Sequence, residues 1–233
     1  MEAIILAGGL GTRLQQVLID LPKALAQVNG RAFIDYLLNY LRGQGITRFI
    51  FSVGYKKEDV QNHLGKQFMN IPIEYAIENE PLGTGGGIKN AMKAVEGKSA
   101  FVLNGDSMFR VDMQAMSQLH AESNADITLA LRFLEDTERY GSVRIDEQKR
   151  ITGFTEKGIE NGSGHINGGV YLINKEYFLS PLFPEKFSIE KDCFEKYCTK
   201  SRFFGFASRG YFIDIGIPED FYRAQNEFRR FED

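Results

Sequence analysis

Short apolar runs alternating with helical periodicities organise the first half of the chain. Residues 2–7 (EAIILA) are apolar and stop at glycines, as a buried strand feeding a loop does. Phe33, Leu37, Tyr40 and Leu41 recur at helical spacing within 33–42. The pattern then predicts a strand at 48–53 (RFIFSV), a polar helix at 56–64, a strand at 71–77 (IPIEYAI), a helix at 84–95 behind a glycine run, and a strand at 99–106 (SAFVLNGD) ending in Asp106. Strict alternation of strand and helix predicts a parallel sheet with helices on both faces. The strands are apolar throughout, as strands covered on both sides should be.

The pattern changes in the second half. Residues 126–133 (DITLALRF) alternate, setting Ile127, Leu129, Leu131 and Phe133 on one face. Further strands are predicted at 141–146 (GSVRID), 150–157 (RITGFTEK) and 165–173 (HINGGVYLI), reading as antiparallel or mixed additions. A last helix is expected from Pro218, with Glu219 and Asp220 near its positive end and Arg229 and Arg230 near its negative end. No repeat, low-complexity tract or linker interrupts the 233 residues. The expectation is one α/β domain, a Rossmann-like three-layer αβα fold on a mixed, mainly parallel sheet. Residues 1–110 are expected to form its first half and 111–233 its second.

Composition narrows the function classes. At 43% apolar and 25% charged the chain reads as an ordinary globular protein. A net charge of −3 gives no support to nucleic-acid binding, so any bound phosphate belongs to a small molecule. Cys193 and Cys198 have neither C-x-x-C nor zinc-like spacing and are expected to be reduced thiols. "AIILA" falls far short of the ~20 apolar residues of a membrane span, and no signal-peptide pattern opens the chain, so a cytoplasmic location is expected.

The chemistry concentrates where predicted strands end. "LAGGLGTRL" (6–14) follows the first strand, but Leu14 stands where a Rossmann fingerprint needs its third glycine, and the P-loop pattern is absent. Glycines there let backbone N–H groups approach a phosphate, Arg13 adds a fork of donors, and Lys23 adds a point charge. The same residues also suit a tight turn with a solvated arginine. Asp106 falls at the carboxyl end of the fourth strand, on the crevice side of such a sheet, where it suits Mg²⁺ or a turn cap. Asp214 lies among apolar residues in "FIDIGIPED" and needs a partner or a metal; the two aspartates together suit one Mg²⁺.

In this order, "LAGGLGTRL", "PK" (22–23), "EPLGTGGGI" (80–88), "NGD" (104–106), "YGSV" (140–143), "EK" (156–157), "NGGVY" (167–171) and "DIGIPED" (214–220) resemble the sugar-nucleotidyltransferases, the nucleoside-diphospho-sugar pyrophosphorylases, in their short form. The resemblance implies the nucleotide-diphospho-sugar transferase fold. It implies that residues 1–110 are the nucleotide-binding half and 111–233 the sugar-phosphate-binding half, that Gly8, Gly9, Gly11, Thr12 and Arg13 wrap a triphosphate, that Leu6, Ala7, Glu78 and Gly83 face the nucleobase and ribose, and that Thr84 belongs to the nucleotide-binding set. Lys23 would contact phosphate near the reacting phosphorus, Asp106 and Asp214 would bind Mg²⁺, Gly141, Glu156 and Asn167 would hold the sugar, and Lys157 its phosphate. Arg13, Lys23 and Asp106 are the residues expected to carry catalysis. Two family prolines are replaced, by Ala24 and Gly158, which alters loop stiffness more than chemistry. The implied reaction is attack of a sugar 1-phosphate oxygen on the α-phosphorus of a nucleoside triphosphate, with pyrophosphate leaving, and needs no general base because a phosphate monoester is already ionised. Dimers are common among such enzymes, so a homodimer is a further expectation.

Glu78 bears on the base. A carboxylate matches guanine N1–H and its N2 amine, whereas uracil and thymine offer one N–H, so GTP is favoured. "IENEPLGTGGGIKNA" and "DLPKALAQVNGRAFIDYLL" most resemble the D-glycero-D-manno-heptose 1-phosphate guanylyltransferases, which make GDP-heptose for bacterial surface glycans such as lipopolysaccharide or capsule. Mannose-1-phosphate guanylyltransferases and uridylyltransferases acting on N-acetylmuramate phosphate share similar runs. A catalytically silent nucleotide-sugar sensor is opposed by the joint presence of Arg13, Lys23, Asp106 and Asp214, and a retaining glycosyltransferase by the lack of a D-x-D motif.

Overall fold

The computed structural model describes residues 1–9, 21–137, 140–155 and 162–231. The first half follows the predicted alternation: β1 (Glu2–Leu6), a small hairpin of β2 (Gln27–Val28) and β3 (Arg31–Ala32), α1 (Phe33–Gly43), β4 (Arg48–Val53), α2 (Lys57–Leu64), β5 (Gln67–Phe68), β6 (Ile71–Ile77), α3 (Gly83–Met92) and β7 (Ser99–Asn104). Strands β7, β1, β4 and β6 lie side by side and parallel. Successive residues of β1 enter opposite layers. Ala3 and Ile5 share a core with Phe33, Leu37 and Leu41 of α1, while Ile4 packs into the core containing Ile88, Ala91 and Met92 of α3. Burying such side chains stabilises by roughly 1.5–3 kcal/mol each, which holds a five-residue strand from both sides.

The second half extends the sheet by antiparallel pairing. Its elements are β8 (Ser107–Phe109), α4 (Met113–Glu122), β9 (Ile127–Leu134), β10 (Ser142–Ile145), β11 (Ile151–Thr155), β12 (Gly164–Asn174), α5 (Lys175–Leu179), a π-helical turn (Ile189–Phe194) running into α6 (Glu195–Tyr197), β13 (Phe203–Ser208), β14 (Phe212–Asp214) and α7 (Pro218–Glu227). Strand β12 runs antiparallel to β7 and receives β9 and β10, β11 pairs with β10, and β13 lies parallel to β9. The result is a mixed, mostly parallel-centred sheet between helical layers, the fold class the pattern implied.

Some details differ from the pattern. Strand β9 is buried on both faces, with Thr128 and Ala130 as inaccessible as Leu129 and Leu131, because Ala130 enters the core that contains α1 while Ile127, Leu129 and Leu131 enter the core that contains α3; Phe133, placed on the core face by alternation, is 46% exposed. The helix behind the glycines ends at Met92, and β7 ends at Asn104, leaving Asp106 in the following turn. Pro218 does open α7, with Glu219 and Asp220 in its first turn, but Arg229 and Arg230 lie in a separate 3-10 turn, Phe228–Phe231. Cys193 and Cys198 are both free and buried.

The C-terminal helix returns to the first half. Gln225 accepts the Asn29 N–H and donates to the Gln27 carbonyl, and Phe228 packs against Phe33 and Tyr36. Among the described residues no helix is long and apolar enough to cross a membrane.

Candidate functional site

The carboxyl ends of β1, β4 and β6 open on a cavity of about 490 Å³. Predicted residues Leu6, Gly8, Gly9, Glu78, Gly83 and Thr84 line it, together with Tyr55. Ala7 lies just inside, its N–H donating to the Ser52 carbonyl at 2.9 Å. Glu78 follows β6 directly, and its own N–H donates to the Val53 carbonyl at 2.8 Å. The carboxylate is fixed twice: Ser52 Oγ donates to Oε1 at 2.8 Å and the Leu82 N–H to Oε2 at 3.2 Å. Ser52 was not among the predicted residues. Its signal is a polar residue inside the otherwise apolar run RFIFSV, and it is buried to 1% exposure.

The glycine run at the start of α3 has a structural explanation. A Cβ on Gly87 would stand 2.7 Å from Glu78 Oε1, so only glycine leaves room for the Ser52–Glu78 pair. Gly83 has φ +75°, and a Cβ there would sit 2.5 Å from the Phe187 carbonyl. That carbonyl accepts the N–H groups of Gly85 and Gly86 at 3.0 and 3.3 Å, so these first-turn donors of α3 serve the chain's own Phe187–Ser188 stretch. Thr84 Oγ1 accepts the Ile189 N–H at 3.0 Å and donates to Glu190 Oε2 at 2.9 Å.

A second constellation lies beyond β7. Antiparallel pairing of β8 with β14 sets Ser107 opposite Asp214, and the Ile215 N–H donates to the Asp106 carbonyl at 3.0 Å, bringing together two aspartates 108 positions apart in the chain (214 − 106). Lys23, on the 3-10 turn Lys23–Leu25, pairs with Asp106 Oδ2 at 3.2 Å. Asp214 Oδ1 accepts the Gly216 N–H at 2.8 Å, and a Cβ on Gly216 would stand 2.8 Å from Asp214 Oδ1 and 3.5 Å from Lys23 Nζ. Lys23, Asp106 and Asp214 therefore converge, as the motifs implied. Among the described residues no group of three or more His, Cys, Asp or Glu side chains suits a metal. Two carboxylates without further protein ligands fit Mg²⁺, which takes one or two carboxylates and leaves its other positions to phosphate and water.

A further cavity of about 500 Å³ is lined by Gly141, Thr155, Asn167, Glu190, Lys191 and Glu195, among others. Asn167 is held at both ends of its amide: Nδ2 donates to the Tyr171 hydroxyl at 3.0 Å and Oδ1 accepts the Gly169 N–H at 2.9 Å. The pairing of β12 with β9 shifts register between Asn167 and Tyr171, an irregularity that re-aims a strand residue, and Gly169 takes φ +72° within it. Burial pushes the Tyr171 phenol well above its ordinary value, and the carboxylates of Glu190 and Asp106 add to the effect. Thr155 Oγ1 is buried without a hydrogen-bond partner among the described residues. Glu190, Lys191 and Glu195 were not predicted; the signal is faint, a serine cap at 188 ahead of a charged stretch. The predicted Gly11, Thr12 and Arg13 of the loop, and Glu156 and Lys157, lie outside the described residues.

Comparison with known proteins agrees with this arrangement. The nucleotidyl transferase family matches residues 2–230. The chain is 46% identical over 231 residues to a D-glycero-alpha-D-manno-heptose 1-phosphate guanylyltransferase of Aneurinibacillus thermoaerophilus, covering 99% of this chain and 100% of the relative. It is 43% identical to the protein of the same name from Campylobacter jejuni, covering 95% and 97%. Among solved structures, HddC from Yersinia pseudotuberculosis superposes with a TM-score of 0.88 at 39% identity over 97% of this chain and 99% of that one, and a second structure of HddC is complexed with GMP-PN. The glycine loop, the convergent lysine and aspartates, the two cavities and a match over nearly the whole length place this chain in the nucleotidyl transferase family.

Proposed function

We propose that this enzyme transfers GMP from GTP to D-glycero-D-manno-heptose 1-phosphate, releasing pyrophosphate and forming a GDP-sugar. The observation that carries the base assignment is the Glu78 carboxylate, fixed by Ser52 and the Leu82 N–H inside the cavity at the strand ends. Each carboxylate oxygen has about two acceptor sites, so each keeps one for guanine N1–H and the N2 amine. Two relatives named for the heptose reaction, at 46% and 43% identity, and a structural neighbour complexed with GMP-PN support the same substrates.

In this reading the cavity lined by Leu6, Gly8, Glu78 and Gly83 takes the nucleoside, and the one lined by Gly141 and Asn167 takes the sugar. Lys23 contacts phosphate near the reacting phosphorus. Asp106 and Asp214 would hold Mg²⁺, which when bound supplies neutralisation of phosphate charge. The sugar phosphate oxygen attacks the α-phosphorus as pyrophosphate leaves on the opposite side. The chain's own work is alignment and charge control, since the nucleophile is already an anion. Arg13 and Lys157 keep the phosphate-binding roles that the family resemblance assigns them. The homodimer, the cytoplasmic location and the use of the product in bacterial surface glycans belong to the same reading.

Pyrophosphate release from a matrix of ATP, GTP, CTP, UTP and dTTP against heptose, mannose and N-acetylmuramate 1-phosphates tests it. GTP with heptose 1-phosphate is expected to give the highest kcat/KM. Preference for UTP or dTTP would overturn the Glu78 assignment.

A further inference from the structure

The Ser188–Glu195 stretch lines the 500 Å³ cavity and bonds to Thr84 at the edge of the other, and we propose that its Glu190 is a specificity-determining residue for the sugar 1-phosphate, accepting a sugar hydroxyl through Oε1. The inference rests on the sugar-1-phosphate reading above. Glu190 lines the 500 Å³ cavity alongside Gly141 and Asn167. Its Oε2 is held by two hydroxyl donors, Thr84 Oγ1 at 2.9 Å and Ser188 Oγ at 2.8 Å, while among the described residues nothing takes Oε1.

That arrangement differs from an ordinary surface glutamate. A solvated glutamate samples many rotamers and must be ordered when it binds. Glu190 is ordered beforehand, because its backbone is fixed as well. The Ile189 N–H donates to Thr84 Oγ1, and the Ser188 N–H to Asp192 Oδ2 at 3.0 Å. The six residues Ile189–Phe194 form a π-helical turn, a rare geometry that recurs at functional positions. Glu190 shares the lining of its cavity with Asn167, the partner of the buried Tyr171 phenol, and its carboxylate acts electrostatically on that phenol.

The chemistry of the occupant follows. A carboxylate accepts O–H donors strongly, and a sugar hydroxyl is such a donor. Two glutamates, Glu190 and Glu195, face one lysine, Lys191, around the cavity. A neutral polyol fits this lining, while a sugar bearing its own carboxylate meets like charge.

The test uses the intact enzyme and three variants, Glu190→Ala, Glu190→Gln and Thr84→Val, assayed with GTP against heptose, mannose and N-acetylmuramate 1-phosphates. Loss of a hydrogen bond to a charged acceptor predicts that Glu190→Ala raises the heptose 1-phosphate KM about tenfold or more and the GTP KM less than about twofold. Glu190→Gln should narrow the discrimination against N-acetylmuramate 1-phosphate, and Thr84→Val should raise the sugar KM by a smaller factor in the same direction. An unchanged sugar KM in Glu190→Ala overturns the inference while leaving the guanylyl-transfer reading intact. Equal rises in both KM values with a lowered melting temperature also overturn it, because they mark a residue that only docks the stretch. If the wild type turns over no sugar 1-phosphate, the transfer reading fails by itself. Calorimetry of heptose 1-phosphate on wild type and Glu190→Ala then decides: about tenfold weaker binding to the variant upholds the Glu190 role, and equal or absent binding overturns it.

Discussion

Ser52 Oγ donates to Glu78 Oε1 at 2.8 Å across the ends of two adjacent parallel strands, β4 and β6. The relationship makes the serine a positioning residue for the carboxylate proposed to read the base. Glu78→Gln replaces one acceptor oxygen by an amide donor, which opposes one of the two guanine N–H groups. It is expected to raise the GTP KM by roughly tenfold or more and to leave the sugar 1-phosphate KM unchanged. Ser52→Ala keeps the carboxylate but releases it, so a rise of only a few-fold is expected. Steady-state kinetics with each substrate varied separates the two, and an unchanged GTP KM in Glu78→Gln would remove Glu78 from base recognition.

The Lys23–Asp106 pair, at 3.2 Å, leads to a kinetic prediction with little stability content. Partly exposed pairs of this kind stabilise by about 0–1 kcal/mol, so neither Lys23→Met nor Asp106→Ala should move the melting temperature by more than about 4 °C. In the proposed reaction both groups face the position where phosphate charge must be controlled. Asp106→Ala should abolish Mg²⁺-dependent turnover, and Lys23→Met should lower kcat by about 10²–10³-fold. Titrating Mg²⁺ under saturating substrates checks this; near-normal turnover of folded Asp106→Ala would remove that residue from the metal site.

Gly83 supplies a stability prediction. Its φ of +75° and the 2.5 Å approach of any Cβ to the Phe187 carbonyl both oppose substitution. Gly83→Ala should destabilise by about 1–3 kcal/mol through the backbone conformation, with steric displacement of Phe187 adding to that. Since Gly83 lines the proposed nucleoside cavity and Phe187 precedes the Thr84–Glu190 contact, the same variant should weaken the use of both GTP and sugar 1-phosphate. Urea unfolding and the two KM values together report both effects, and a variant as stable as wild type would contradict the docking explanation.

How much of this was legible in the chain depends on the range of each interaction. Strands β1, β4, β6 and β7 show as apolar runs because both faces of each are covered, and their order follows from alternation with helices. Strand β13 escaped because Gly205 interrupts its apolar run and its place beside β9 is set by tertiary packing. Helix α4 carries only Met113, Met116 and His120 as buried positions, too sparse a stripe to stand out. In the site, Asp106 and Asp214 were visible as carboxylates in or beside strand-like runs and Lys23 as a charge following the glycine loop; the β8–β14 pairing brings the aspartates together and Lys23 pairs with Asp106. Ser52 and Glu190 were not, because their meaning lies in partners 26 and 106 positions away. The resemblance sets Gly83 against the nucleobase and ribose, yet Gly83 and Gly87 are also required by Phe187 and by the Ser52–Glu78 pair.

His120 predicts how stability varies with pH. It is 7% exposed on α4, with Nδ1 2.9 Å from Thr128 Oγ1 and Nε2 3.3 Å from Ser99 Oγ, both neutral hydroxyls. Burial lowers its pKa to about 4, and the charge of Asp126, already engaged by Arg202 at 2.6 Å, raises it only in part. The unfolded chain therefore binds a proton at His120 between roughly pH 6.5 and 4 that the folded chain refuses. Stability from this group is fully present above about pH 6.5, falls as the pH drops toward about 4, and is flat below, a total of about 3 kcal/mol. Carboxylates titrate over part of the same window, so the informative quantity is the difference between wild type and His120→Gln, which cannot charge. The variant should be less stable at pH 7.5, through imperfect packing, and should close that gap as the pH falls to 4.5. Chemical denaturation at pH 7.5, 6.5, 5.5 and 4.5 measures it, and a gap that stays constant across the series would mean that His120 is not the group refusing the proton.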